Sequence, residues 1–139
     1  MSLAIRNLVM MFALLFAVFA PAPALAAADL IEWNNVTAVT GSGKPATAEE
    51  IKRAFMVGGA RRGWTFTDAG PDKMILKLNV RTHTLMMELT YEPGKYSLKY
   101  KESVNLDYKD EAGKRTIHRS YISWNTNLMN DARAELLRL

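Results

Sequence analysis

The chain contains no cysteine and only two histidines among its 139 residues. The lack of cysteine excludes a thiol nucleophile, a cysteine-ligated zinc site, disulfide bonds and a lipid anchor on an N-terminal cysteine. The sequence also lacks the G-x-S-x-G, H-E-x-x-H and H-x-H spacings, so no compact motif brings a nucleophile or metal ligands together. We therefore expect no metal site and no cofactor.

A long apolar run occurs only at the start of the chain. Leu8 to Ala20 is unbroken and follows the positive charge of Arg6. Such a run is too short for a spanning helix of about 20 residues, and the small residues Ala24-Leu25-Ala26 behind it fit an A-x-A cleavage site. We predict a secretory signal peptide at 1–26, with cleavage after Ala28 as the alternative. An uncleaved membrane anchor and a buried core helix are the competing interpretations.

Removal of the leader leaves residues 27–139, for which we predict a single domain. A domain of this size can build a hydrophobic core without disulfides. The leader predicts a periplasmic or secreted bacterial protein, without a stable membrane anchor once the signal is removed. We expect a monomer or a weak dimer formed through an edge strand.

The positive charge of the chain is concentrated in one stretch. Lys95 to Arg119 holds seven basic and four acidic residues. This excess could favour an anionic partner, but lysines on the solvated outer face of a strand are the preferred explanation. Export argues against nucleic acid as the partner.

A helix is predicted from Thr47, because Thr47 and Glu50 form a capping box before an apolar pattern of helical spacing. Gly58 and Gly59 would each cost about 1 kcal/mol in a helix interior relative to alanine, so we expect close packing there. Gly63 is placed to end the helix in a left-handed conformation.

Alternating apolar and polar residues predict β-structure around and after this helix. A short edge strand is expected at Val36 to Thr40, and four strands between Trp64 and Lys101 are joined by tight turns. Short connections imply an antiparallel meander, apolar on one face and polar on the other.

A second helix is predicted from near Ile117, since apolar residues recur from there at helical spacing. A sheet with one apolar face must be covered on that face. We therefore predict an α+β, two-layer sandwich: an antiparallel meander sheet of four or five strands with two helices packed on one face.

The aromatic residues between the last strand and this helix form the candidate site. They suit a half-buried seam, because the rings pack while the polar tips reach water or backbone groups. The alternative is a shallow groove that receives a peptide or an anionic small molecule. The candidate ligand-binding residues are Lys99, Lys101, Asn105, Tyr108, His118, Arg119 and Tyr121.

Two functional hypotheses follow. The first is a non-enzymatic binding or accessory protein of the cell envelope, which presents the polar face of the sheet or the aromatic seam to an envelope protein, peptide or anionic ligand. The second is a small hydrolase or metal-dependent enzyme that uses His118 with a nearby carboxylate such as Asp107. No catalytic residue is assigned.

Four short motifs between Thr47 and Leu128 carry a resemblance. They are Arg62-Gly63-Trp64, Tyr96-Ser97-x-Lys99-Tyr100, Asn105-Leu106-x-Tyr108 and Ile117-His118-x-x-Tyr121-x-x-Trp124-x-x-Asn127-Leu128. In this order the chain resembles a group of small uncharacterised proteobacterial exported proteins and lipoproteins. The resemblance implies an envelope location and no particular reaction. The lipobox cysteine of the lipoprotein members is absent here.

Overall fold

The computed structural model describes residues 27–139, which contain two helices and eight strands. The predicted signal peptide at 1–26 lies outside the described residues. The elements, in chain order, are β1 (Ala27–Asp29), β2 (Trp33–Thr37), α1 (Ala48–Ala60), β3 (Thr65–Asp68), β4 (Lys73–Val80), β5 (His83–Glu92), β6 (Lys95–Val104), β7 (Lys109–Glu111), β8 (Lys114–His118) and α2 (Ser120–Leu136).

Helix α1 begins as the sequence predicts. The Thr47 hydroxyl accepts the Glu50 amide at 3.1 Å, and the Glu50 carboxylate accepts the Thr47 amide at 3.0 Å. Two otherwise unpaired backbone donors are thereby satisfied. The apolar stripe of the helix is buried, with Ile51 and Phe55 fully enclosed, and Gly63 past its end has a φ of +91°.

The main sheet has five antiparallel strands in the order β2-β6-β5-β4-β3. Met74, Leu76 and Leu78 alternate with less buried residues along β4, and Leu89 lies directly opposite Met74. These side chains and both helices share one face, here called the covered face. The opposite face, here called the open face, is polar. The predicted meander and two-layer α+β sandwich are confirmed.

The first edge strand lies earlier than the sequence predicts, because β2 spans Trp33–Thr37 rather than Val36 to Thr40. Trp33 fixes its register by pairing with Leu98, and the ladder is irregular between Trp33 and Val36. Asn35 within this irregularity has a φ of +51°, a left-handed conformation that asparagine tolerates better than β-branched residues. The predicted bounds were wrong because β-propensity alone does not report the partner strand, whereas the predicted edge position is confirmed.

A second sheet, with strand order β1-β8-β7, was not predicted. Its strand β8 contains Ile117, which pairs with Ala28, so the predicted start of the second helix near Ile117 is wrong and α2 begins at Ser120. The error has a physical origin. Ile117 and Tyr121 are both fully buried, and their spacing of four imitates a helical stripe although a strand ends between them.

The two helices pack closely against each other where α1 carries its glycines. A Cβ atom added at Gly58 would lie 2.9 Å from the backbone carbon of Asp131 in α2. Arg62 forms an ion pair with Asp131, and Arg61 forms one with Glu135 at 2.7 Å. The absence of a side chain at Gly58 therefore sets the distance between the helices.

No helix within residues 27–139 is both long enough and apolar enough to cross a membrane.

Candidate functional site

The seam between the two sheets is organised by Glu32, which lies between β1 and β2. One oxygen of its carboxylate accepts the backbone N–H of Tyr100 at 2.9 Å, and the other accepts Arg115 Nη2 at 2.7 Å. This bond to Glu32 raises the pKa of the Arg115 guanidinium. One carboxylate thus ties strand β6 of the main sheet to strand β8 of the small sheet.

Tyrosine rings fill the space around this carboxylate. Tyr121 is fully buried, donates its hydroxyl to the Ile31 carbonyl at 2.7 Å and stacks on Trp33. Tyr100 stacks on Tyr108 with ring centroids 4.7 Å apart. Burial raises the pKa of Tyr121 and of Tyr100, so both phenols stay protonated at neutral pH. The seam is therefore a packed junction whose hydrogen bonds include the one that Tyr121 donates and the two that Glu32 accepts.

Two histidines lie at the end of this seam, with ring centroids 6.1 Å apart. His83 Nδ1 lies 2.5 Å from the Asn105 carbonyl oxygen, and only a protonated Nδ1 can donate there. His118 Nδ1 accepts the Ser120 backbone N–H at 3.1 Å, which leaves its proton on Nε2 in the neutral ring. We assign opposite tautomers to the two rings from these bonds.

The hydrogen bonding of His118 differs from that of a catalytic histidine–carboxylate pair. In a histidine–carboxylate pair, Nδ1–H donates to the carboxylate, whereas here Nδ1 accepts a backbone amide at the start of α2. Asp107 has a φ of +52° and is exposed. Within residues 27–139 no group of three or more histidine, aspartate or glutamate side chains is arranged to hold a metal ion. In this structure His118 Nδ1 satisfies the backbone donor of Ser120 at the start of α2.

The predicted site residues do not all come together. Tyr108, Tyr121, Asn105 and His118 belong to the seam or to the histidine pair beside it. Arg119 is exposed at the start of α2. Lys99 and Lys101 lie on strand β6.

The two lysines occupy different positions along that strand. Lys99 lies opposite Glu88 on the open face. Lys101 falls where the register shifts. The basic stretch of the sequence is therefore divided between several surfaces.

A cleft of about 540 Å³ lies on the open face of the main sheet. Its wall is the β3–β4 turn with Gly70 and Pro71, and its floor is formed by the ends of β5, β6 and β2. This volume is within the roughly 300–1,000 Å³ typical of small-molecule sites. The cleft is a concave feature of the open face with room for a small ligand.

A row of polar side chains crosses the floor of the cleft. Lys73 lies opposite Thr90 and Thr90 lies opposite Ser97, while the backbone N–H of Asn35 donates to Ser97 Oγ at 3.0 Å. The left-handed residue Asn35 turns its N–H out of the ladder and toward this hydroxyl. Four neighbouring strands each place one polar residue in the row.

Charges around the cleft balance. Asp72 and Glu92 are acidic and Lys73 and Lys95 are basic. Lys95 pairs with Glu92 at 3.0 Å, and Lys73 pairs with Glu88 at 3.4 Å. The cleft therefore carries little net electrostatic field.

The sequence identified the polar face of the sheet as a possible binding surface but missed this cleft. Its residues come from β2, β4, β5 and β6 and from one turn, so only the strand register brings them together. The one local signal is the turn that includes Gly70 and Pro71, which is typical of a surface loop.

No protein-family model, no curated protein and no solved structure matches this chain. The resemblance to exported proteins and lipoproteins stays a prediction.

Proposed function

We propose that this chain is a non-enzymatic binding or accessory protein of the bacterial cell envelope, exported to the periplasm or secreted, and that the cleft on its open face holds the ligand. The observation that carries the proposal is this cleft, which combines a suitable volume with a polar floor on a rigid sheet. The predicted leader supports the envelope location.

Two further observations favour binding over catalysis. Burial raises the pKa of Tyr100 and of Tyr121, so neither phenol acts as a base at neutral pH. His118 Nδ1 accepts the backbone N–H of Ser120 at the start of α2. The uncharged polar groups on the floor of the cleft, in contrast, are the hydroxyls of Thr90 and Ser97 and the amide of Asn35, which form hydrogen bonds but are weak acids and bases.

Location is tested with the full-length chain expressed with its own leader and detected after osmotic shock. We expect a shortened protein in the released fraction. A full-length protein that stays in the cytoplasm contradicts the proposal.

Binding is tested by co-sedimentation of the purified protein with isolated cell walls and membranes. We expect the wild-type protein to sediment and the Thr90→Val/Ser97→Ala variant to remain in solution. Thr116→Val is the matched control, since Thr116 is a half-buried strand residue of the other sheet. A wild-type protein that stays in the supernatant would refute binding to these insoluble fractions.

A second variant separates the two candidate surfaces. Alanine at Lys99, Lys101 and Arg119 removes the basic rim predicted from the sequence. We expect this variant to sediment like the wild type. Loss of sedimentation only in this variant would show that the basic rim, and not the cleft, is the binding surface.

A further inference from the structure

The floor of the cleft presents uncharged groups that can both donate and accept hydrogen bonds. Among the hydrogen bonds formed within residues 27–139, none uses the Thr90 hydroxyl or the Asn35 side-chain amide. Ser97 Oγ accepts the Asn35 backbone N–H, so one of its lone pairs is occupied and its own proton is available for a ligand acceptor. The floor therefore suits a ligand with several groups that both donate and accept.

The balanced charges disfavour an anion. Lys73 and Lys95, the two lysines of the cleft, each already contact a glutamate, and the cleft also contains the carboxylate of Asp72. An anionic ligand would displace one of these ion pairs and approach the remaining carboxylates. Discrimination by unfavourable charge is a common basis of specificity.

The direction of the polar row disfavours an extended peptide. Peptides that bind to sheets commonly add as a strand along an exposed edge. The row from Lys73 to Asn35 instead crosses the face of four neighbouring strands and does not run along the outer edge of β2. Side chains rather than backbone groups must therefore supply the hydrogen bonds.

We infer that the cleft takes an uncharged, hydroxyl-rich ligand, namely a saccharide unit, with Thr90, Ser97 and Asn35 as its hydrogen-bonding residues and Pro71 as its apolar wall. This inference rests on the proposed binding function and specifies its ligand class. Sugar hydroxyls both donate and accept, which matches the groups on the floor.

The test is an NMR titration of the isotopically labelled protein, produced with its own leader and purified from the producing cells. The probes are maltose, N,N′-diacetylchitobiose, trialanine and inorganic phosphate at millimolar concentration. We expect either disaccharide to shift the amide signals of Thr90, Ser97 and Asn35, and trialanine and phosphate to leave them unchanged. No shift with either disaccharide overturns the inference.

Substitutions at Thr90 and Ser97 test whether the hydroxyls of these residues bind the disaccharide. Thr90→Val preserves the shape of the side chain, and the loss of one hydrogen bond should weaken disaccharide binding about three- to tenfold. Ser97→Ala should have a similar effect, while Thr116→Val should bind like the wild type. Unchanged affinity in both cleft variants overturns the inference. If a variant gives no dispersed spectrum, the wild-type titration decides.

The outcomes separate this inference from the proposed function. Shifts of the cleft residues with trialanine or phosphate alone refute the saccharide class and leave the binding function standing. Failure of all four probes together with failure of the wild-type protein to co-sediment refutes both.

Discussion

Two adjacent glycines of α1 allow a sharp test of how the helices pack, because the same substitution should have different effects at each. In a helix interior, Gly→Ala stabilises by about 1 kcal/mol through helix propensity. At Gly58 the new Cβ would lie 2.9 Å from the Asp131 backbone carbon and 3.0 Å from the Ala132 backbone nitrogen. A helix backbone cannot rotate away, so α1 and α2 must separate.

The expected magnitude follows from this contact. Overpacking costs about 1–3 kcal/mol, and contact with backbone places Gly58→Ala near the upper value. After the gain in propensity, we expect the free energy of unfolding to fall by about 2 kcal/mol. For a domain of about this size, that corresponds to a decrease in Tm of about 8 °C.

Gly59→Ala is the matched control. Its Cβ would meet Phe66 Cζ at 2.6 Å, Leu128 Cδ1 at 2.9 Å and Trp64 Cβ at 3.3 Å. All three are side-chain atoms, so relief requires side-chain shifts rather than a separation of the two helix backbones. The cost of about 1 kcal/mol then roughly cancels the propensity gain. We expect a free energy of unfolding within about 1 kcal/mol of the wild type.

Urea unfolding followed by circular dichroism measures both variants, with thermal unfolding as the second measurement. Equal m-values would show that the change lies in stability rather than in the denatured state. A Gly58→Ala variant as stable as the wild type or as Gly59→Ala would refute the argument that Gly58 sets the helix separation.

Three further predictions concern the seam, the N-terminus and alkaline pH. Tyr121→Phe should lower the free energy of unfolding by about 1 kcal/mol, because the hydrogen bond of a buried hydroxyl is lost. Tyr108→Phe, at a 38 % exposed position, should change the free energy of unfolding by less than about 0.5 kcal/mol. Equal effects of the two substitutions in urea unfolding would contradict this prediction. Mass spectrometry of the exported protein should show cleavage after Ala26, since cleavage after Ala28 would remove two of the three residues of β1; a mass corresponding to the shorter product would refute the prediction. Burial raises the pKa of Tyr96 from its ordinary value of 10.0 to about 12, so the stability that this residue contributes is present below pH 10 and is lost as pH rises toward 12. In Tyr96→Phe the free energy of unfolding should fall less over this pH range than in the wild type. An equal fall in both proteins would contradict the assignment of this pH dependence to Tyr96.

Local sequence signals account for the parts of the fold that depend on neighbouring residues. The capping box at Thr47 and the alternation along β4 each depend on a few consecutive residues, and the structure confirms both. The tight turns between strands also define the order of the meander. These features are local, so one sequence is enough to read them.

The sequence does not show which distant segments of the chain pair with each other as strands. Residues Ala27–Asp29 form a strand only because β8 lies beside them, and three residues carry too short a pattern to reveal it. The same pairing moves Ile117 out of the predicted helix. For the site, the aromatic residues revealed the seam, but the cleft depends on the register that places Thr90 beside Ser97.

The strand pairing Ala27↔His118 has a consequence for the order in which the molecule folds. Strands β3 to β6 are consecutive and joined by short turns, so their contacts close small loops and can form early. The β1–β8 pair instead joins residues about ninety positions apart, and closing so large a loop has a high entropic cost before any contact is made. The four-stranded meander from β3 to β6 should therefore assemble first. The β1–β8 pair then forms last, joining the start of the domain to the strand before α2 after the core is in place.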